Sequence, residues 1–133
     1  MPKRATLLTL LTCLQLPLAV AAEGEVATQE DMRYVPLKPS VVANLNGGPD
    51  YIRCDIQLMT TDPERLSDIE RHAAALRHEI FLLMPDEDGA VLQTPQGKEG
   101  LRQRLRDALR RVLEERTGEP LINELYFTSY YVQ

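Results

Sequence analysis

Residues 51–59 have the sequence YIRCDIQLM, in which apolar and polar side chains alternate. A strict period of two predicts a β-strand that buries one face and leaves the other open. The two sets of side chains are Ile52, Cys54, Ile56 and Leu58 on the predicted core face and Arg53, Asp55 and Gln57 on the other.

The chain before this strand predicts its partner in a hairpin. Residues 34–45 are rich in β-forming side chains, but Pro36 and Pro39 cannot donate to a ladder and therefore indicate an edge strand. Residues 46–50, NGGPD, predict the turn, because glycine can adopt positive φ.

The chain after this strand predicts two amphipathic helices. The first runs from Asp62, an N-cap followed by proline, to Pro85. The second runs from Thr94, again an N-cap followed by proline, to Gly118, a C-cap. Apolar residues recur at helical spacing in both: Leu66, Ile69, Ala73, Leu76, Ile80 and Leu83 in the first, and Leu101, Leu105, Ala108, Leu109 and Val112 in the second.

Residues 121–132 are rich in Tyr, Phe, Ile and Val and predict a last strand. The order β-β-α-α-β predicts an α+β fold in which both helices pack on one face of the sheet. The predicted shared core comprises Ile52, Cys54, Ile56, Leu66, Ile69, Leu76, Leu101, Leu105 and Val112.

The N-terminal segment indicates export. Lys3 and Arg4 precede an uncharged, leucine-rich stretch, residues 5–22, which ends in small residues after Pro17. We favour a cleaved signal peptide over a retained membrane anchor, because threonines and Pro17 dilute a stretch that barely approaches membrane-spanning length. The expected organisation is residues 1–22 as signal peptide or anchor, 23–33 as linker and 34–133 as a periplasmic domain.

Composition and motifs argue against several functions. The chain has 15 Lys+Arg and 20 Asp+Glu, a net charge of −5, which disfavours nucleic-acid binding. Its two cysteines exclude a disulfide framework and a four-thiolate zinc site, and Cys54 is expected in the core. Since no nucleophile, metal or phosphate-loop pattern is found, we expect a protein without enzymatic activity, metal or cofactor.

Two helix surfaces are candidates for protein contacts. Phe81 and Leu82 point away from the apolar stripe of the first helix, so that either the hairpin covers them or they form an assembly surface. Arg102, Arg106 and Arg110 lie on the second helix, where they form either a solvated, salt-bridged face or a docking site for a partner. The spacing predicts i,i+4 ion pairs there, namely Asp107–Arg111 and Arg110–Glu114.

Several short motifs, in order, resemble one known family. They are Tyr34–Ser40 (YVPLKPS), Leu45–Gly48 (LNGG), Asp55–Met59 (DIQLM), Leu76–Glu79 (LRHE), Gln93–Lys98 (QTPQGK) and Tyr126–Ser129 (YFTS). This set resembles the flagellar basal body-associated protein FliL, over residues 34–133. The resemblance implies a stomatin-like (SPFH) α+β domain that assembles into rings around the stator units of the flagellar motor.

The resemblance also implies a role, partners and a location. The role is that of a non-enzymatic accessory protein that modulates flagellar rotation, swarming and chemotaxis. Its partners would be stator proteins of the MotA/MotB type and either further copies of itself or a membrane-anchored FliL. It would lie at the periplasmic side of the inner membrane. Association with the membrane through the N-terminus is an option. The alternative is a FliL-like periplasmic scaffolding or binding module that is not tied to the flagellum.

Overall fold

The computed structural model describes residues 31–133, so the predicted signal segment and most of the predicted linker lie outside the described residues. The strands are β1 (Arg33–Asn44), β2 (Tyr51–Thr60) and β3 (Glu124–Val132). Between β2 and β3 lie the α-helices α1 (Leu66–Arg71), α2 (Ala73–Leu83), α3 (Gly89–Leu92) and α4 (Pro95–Thr117), with 3₁₀ turns at Pro63–Arg65 and Met84–Asp86. The predicted α+β class, with a hairpin, helices and a C-terminal strand, is confirmed; the stomatin-like assignment stays a prediction.

The three strands form one antiparallel sheet in the order β1-β2-β3. The proline-containing β1 is therefore an edge strand, as predicted, and β2 is central. The alternation in β2 is confirmed, because Ile52, Cys54, Ile56 and Leu58 are buried. Helix α2 packs near β1 and α4 near β3, so the helices cover one face of the sheet and leave the other open.

Both outer strands are irregular opposite the same residue of β2. Between Leu37 and Val41 the register of β1 shifts, and between Asp55 and Ile56 the pairing of β2 with β3 shifts, which leaves Thr128 as an extra residue. A bulge bends its strand and redirects the nearby side chains. Asp55 therefore lies between two bulges on the open face.

The first predicted helix is not continuous. The Asp62 side chain accepts a hydrogen bond from the Glu64 amide, as its N-cap role predicts, but the chain bends at His72 and separates α1 from α2. Ile69 before the bend and Leu76 after it are both fully buried. The spacing of the apolar residues is compatible with one straight helix, but packing of both halves against the core accompanies a bend between them.

The second predicted helix is found at the expected boundaries. The Thr94 hydroxyl accepts a hydrogen bond from the Gly97 amide at 3.0 Å, and Gly118 ends the helix with a left-handed φ of 86°. Gly97 also allows a close approach of the preceding chain: a Cβ at this position would lie 1.9 Å from the Val91 carbonyl oxygen.

The acidic segment between the helices is more ordered than the sequence indicates. The Asp88 carboxylate caps the short helix α3, which the sequence analysis did not predict. The hairpin turn packs against this segment, because Asn46 donates to the Glu87 carbonyl and accepts from the Gly89 amide. A Cβ at Gly89 would lie 2.0 Å from the Pro49 carbonyl oxygen, so the contact depends on glycine.

The core differs from the predicted set at two positions. Leu66 and Val112 are only half-buried and pack at its margin, whereas Leu113 is fully buried. On α4, Leu105, Leu109 and Leu113 form one row at a spacing of four, and Val112 lies at the side of this row. The last strand begins at Glu124 rather than residue 121, although Leu121 and Ile122 still pack in the core.

Candidate protein-interaction site

The arginines of α4 hold the helix against β3. Arg102 contacts Glu99 at 2.7 Å and Glu124 at 2.5 Å, and Arg106 contacts Glu124 at 3.1 Å. Arg102 also donates to the Leu125 carbonyl at 3.1 Å. The side chains of Arg102 and Arg106 are only 19% and 25% exposed, so most of their surface already contacts this chain.

Arg110 follows the same pattern, because its guanidinium donates to the Ile122 carbonyl. The predicted pairs Asp107–Arg111 and Arg110–Glu114 are wrong: Arg111 contacts Glu79 of α2 instead, at 3.2 Å. The physical reason is that neighbouring elements offer acceptors to long arginine side chains, and these compete with acceptors one turn away on the same helix. The arginines therefore join α4 to β3 and α2.

The electrostatics of this contact follow from its geometry. Partial burial of Glu124 opposes ionisation, but hydrogen bonds from Arg102 and Arg106 outweigh it and lower the pKa of the carboxyl. Hydrogen bonds from Arg102 and Gln103 likewise lower the pKa of Glu99 to about 2. Both carboxylates are thus charged at neutral pH and remain paired with the arginines.

The apolar pair on α2 lies at the other side of the molecule. The side chain of Phe81 is 38% exposed and that of Leu82 is 57% exposed, so the hairpin does not cover them. Arg77 lies over the Phe81 ring, 5.5 Å from its centroid, and donates to the Pro39 carbonyl of β1. The chain thus supplies one cationic neighbour to an otherwise open apolar surface.

The five candidate residues do not form one continuous surface. Phe81 and Leu82 lie on α2, which packs near β1, whereas Arg102, Arg106 and Arg110 contact β3 and the residues before it. Since β1 and β3 are the two edges of the sheet, the structure places the apolar pair and the arginines on opposite flanks.

The open face of the sheet is a third surface, which the sequence analysis did not single out. It carries the large exposed side chains Tyr34, Val42, Tyr126 and Tyr131. At one end, the rings of Tyr51 and Tyr131 are 6.5 Å apart and both hydroxyls donate to the Gln133 amide oxygen. The signal that could have identified this face is the strand register, since Tyr126 and Tyr131 lie opposite the outward-facing Gln57 and Arg53.

The described residues offer little to catalysis or metal binding. No group of three or more His, Cys, Asp or Glu side chains within residues 31–133 is arranged to hold a metal ion. Cys54 is fully buried, and burial, together with the charge of Asp55, raises the pKa of its thiol to about 12. Such a thiol is protonated and shielded, which is the opposite of a reactive nucleophile.

None of the helices within residues 31–133 combines the length and the apolar character that a membrane span requires. No curated protein matches the chain significantly. Residues 34–133, however, match the family described as flagellar basal body-associated protein FliL. The match covers most of the chain. It includes all four α-helices, β2 and β3, and all of β1 except its first residue. The chain therefore belongs to the FliL family of flagellar basal body-associated proteins.

Proposed function

We propose that the protein is a non-enzymatic accessory component of the flagellar motor that associates with stator units and modulates rotation, swarming and chemotaxis. The observation that carries this proposal is the family match over residues 34–133. The structure is compatible with a role that depends on protein contacts, because its described surface offers exposed apolar side chains on α2 and on the open sheet face.

The proposed organisation follows the sequence analysis. Residues 1–22 direct export as a cleaved signal peptide, or else remain as a membrane anchor, residues 23–33 form a linker, and residues 34–133 act in the periplasm beside the inner membrane. There the domain would contact MotA/MotB-type stator proteins and further FliL subunits, either its own copies or an anchored relative.

We assign the direct contact to Phe81 and Leu82 rather than to the arginines. Leu82 is the more exposed of the two apolar side chains, and a hydrophobic side chain at that exposure gains most from burial against a partner. Arg102, Arg106 and Arg110 support the interaction surface indirectly, by fixing α4 against β3.

A deletion strain scored on soft agar tests the function. We expect reduced swimming and swarming, restored by the wild-type gene but not by Leu82→Asp. The matched control is Val91→Asp, since Val91 of α3 is 51% exposed against 57% for Leu82. Normal motility of the deletion strain would contradict a motor role, and full rescue by Leu82→Asp would remove Leu82 from the contact.

A further inference from the structure

The two bulges beside Asp55 border a half-open cavity of about 410 Å³ on the open face of the sheet. Its walls are formed by the bulged segment 36–40 of β1, by Asp55 and Ile56 of β2, and by Thr128 of β3. The volume lies at the lower end of the range typical of small-molecule sites. We call this space the Asp55 cavity.

Polar and charged groups converge on the Asp55 cavity. The Ser40 hydroxyl donates a hydrogen bond to the Asp55 carboxylate and so orients it. The Thr128 hydroxyl donates to the Asp55 carbonyl at 3.4 Å. Lys38 also lines the cavity, and no ion pair between Lys38 and Asp55 is formed among the described residues.

The apolar walls and the rigidity of the cavity have separate sources. Pro36 and Pro39 supply exposed apolar surface, whereas Ile56 belongs to the core face and is only 2% exposed. Arg77 of α2 donates to the Pro39 carbonyl, which ties the bulge of β1 to a helix. A preformed cavity with apolar walls and a few convergent polar groups is the usual form of a small-ligand site.

We propose that the Asp55 cavity binds a free amino acid with an apolar side chain. Asp55 accepts a hydrogen bond from the ligand ammonium group, Lys38 contacts the ligand carboxylate, and Pro36 and Pro39 contact the ligand side chain. Because the cavity carries one negative and one positive side chain, a zwitterion matches it better than a simple amine or a simple acid. This site is additional to the proposed motor role and does not depend on it.

Nuclear magnetic resonance on the ¹⁵N-labelled protein tests the proposal with L-leucine as the probe. We expect saturable amide shifts at Ser40, Asp55 and Thr128 at concentrations up to about 20 mM, with Ala108 on the helical layer unchanged. Two analogues are the matched ligand controls. 4-Methylpentanoate lacks the ammonium group and 3-methylbutylamine lacks the carboxylate, and each should bind at least about tenfold more weakly.

Two variants locate the binding. Asp55→Asn keeps the shape and the Ser40 hydrogen bond but removes the charge, and Lys38→Gln removes the opposite charge from an exposed position. Each should weaken leucine binding at least about tenfold, and the second provides the test if the first fails to fold. The proposal is overturned if L-leucine gives no saturable shifts, if Lys38→Gln binds it as the wild type does, or if either analogue binds equally well.

Discussion

The Leu76 side chain is fully buried among the helices and the sheet, one helical turn before the buried Ile80. We expect Leu76→Ala to lower the free energy of unfolding by roughly 2–5 kcal/mol, because truncation leaves a cavity that the core fills only in part. Urea denaturation measures this loss. Leu82→Ala is the matched control, since the same deletion at an exposed site of α2 should change stability by less than about 0.5 kcal/mol. Equal effects of the two substitutions would contradict the core assignment.

The Cys54 thiol gives a second test at the residue scale. Its pKa is raised to about 12 by burial, so the native protein should react with a thiol reagent at pH 8 far more slowly than the protein unfolded in guanidinium chloride. The experiment uses a Cys13→Ser background, because the sequence contains two cysteines. Equally fast labelling of native and unfolded protein would show that the thiol is accessible.

The same shift has a consequence for alkaline stability. Since the folded pKa is raised above the ordinary value of 9.0, the unfolded state loses this proton first as the pH rises. The stability contributed by the protonated thiol is therefore complete below pH 9 and is lost between pH 9 and about 12. A Cys54→Ala variant should lose less stability than the wild type over this interval in denaturant titrations.

Side-chain partners were the least predictable feature at this scale. The sequence places Arg102, Arg106 and Arg110 on the second helix, but the ion pairs were predicted from spacing along that one helix. The structure shows Arg111 with Glu79 and Arg110 with the Ile122 carbonyl, both from other elements. A long side chain can bond to any acceptor within its reach. The sequence alone does not show which elements place acceptors near the arginines.

Among the helices, α4 contains two glycines with opposite expected roles. A Cβ at Gly97 would lie 1.9 Å from the Val91 carbonyl oxygen, which is backbone and cannot move freely. At Gly100 the nearest atom is the end of the Arg104 side chain, at 3.1 Å. We expect Gly97→Ala to destabilise by about 2 kcal/mol or more and Gly100→Ala to be neutral or to stabilise by up to about 1 kcal/mol. Thermal unfolding compares the two, and equal stability would disprove the tight contact between α3 and α4.

The contact between α4 and β3 should depend on acid pH. Because the pKa of Glu124 is lowered in the folded state, its contribution to stability is present above the ordinary glutamate pKa and is lost as the pH falls through the folded value. The ion pair of Glu124 with Arg102 contributes at most on the order of 1 kcal/mol to the free energy of unfolding, since it is partly exposed and therefore screened by solvent.

Urea titrations at neutral and acid pH measure this contribution. Glu124→Gln should reduce the stability lost between the two conditions. Glu114→Gln, at an exposed position of α4, is the control and should leave the difference close to that of the wild type. An unchanged pH dependence in Glu124→Gln would remove this carboxylate from the acid transition.

Element type and order were predictable because they follow from local signals. Proline after Asp62 and Thr94 begins helical segments, Gly118 ends α4, and strict alternation identifies β2. The bend at His72, the helix α3 and the two bulges beside Asp55 were not predicted. The segment before α3 is in contact with a neighbour distant in sequence, because the hairpin turn packs against residues 87–89.

For the molecule as a whole, the processing of the N-terminus remains a prediction. We expect the mature protein to begin at Ala22 or Glu23, because small residues follow Pro17 at the end of the apolar stretch. Cell fractionation with N-terminal sequencing measures this directly. Recovery of the intact chain, including Met1, from carbonate-washed membranes would show instead that residues 1–22 remain as an anchor.

Side chains of this chain already hydrogen-bond to main-chain carbonyl groups of both outer strands. Arg77 occupies the Pro39 carbonyl on one side, and Arg102 and Gln93 occupy those of Leu125 and Val132 on the other. Another strand could pair at these three positions only by displacing the side chains bound there. An interface between copies that avoids these positions is specified by side chains, so point substitutions can alter its geometry while the fold is left intact.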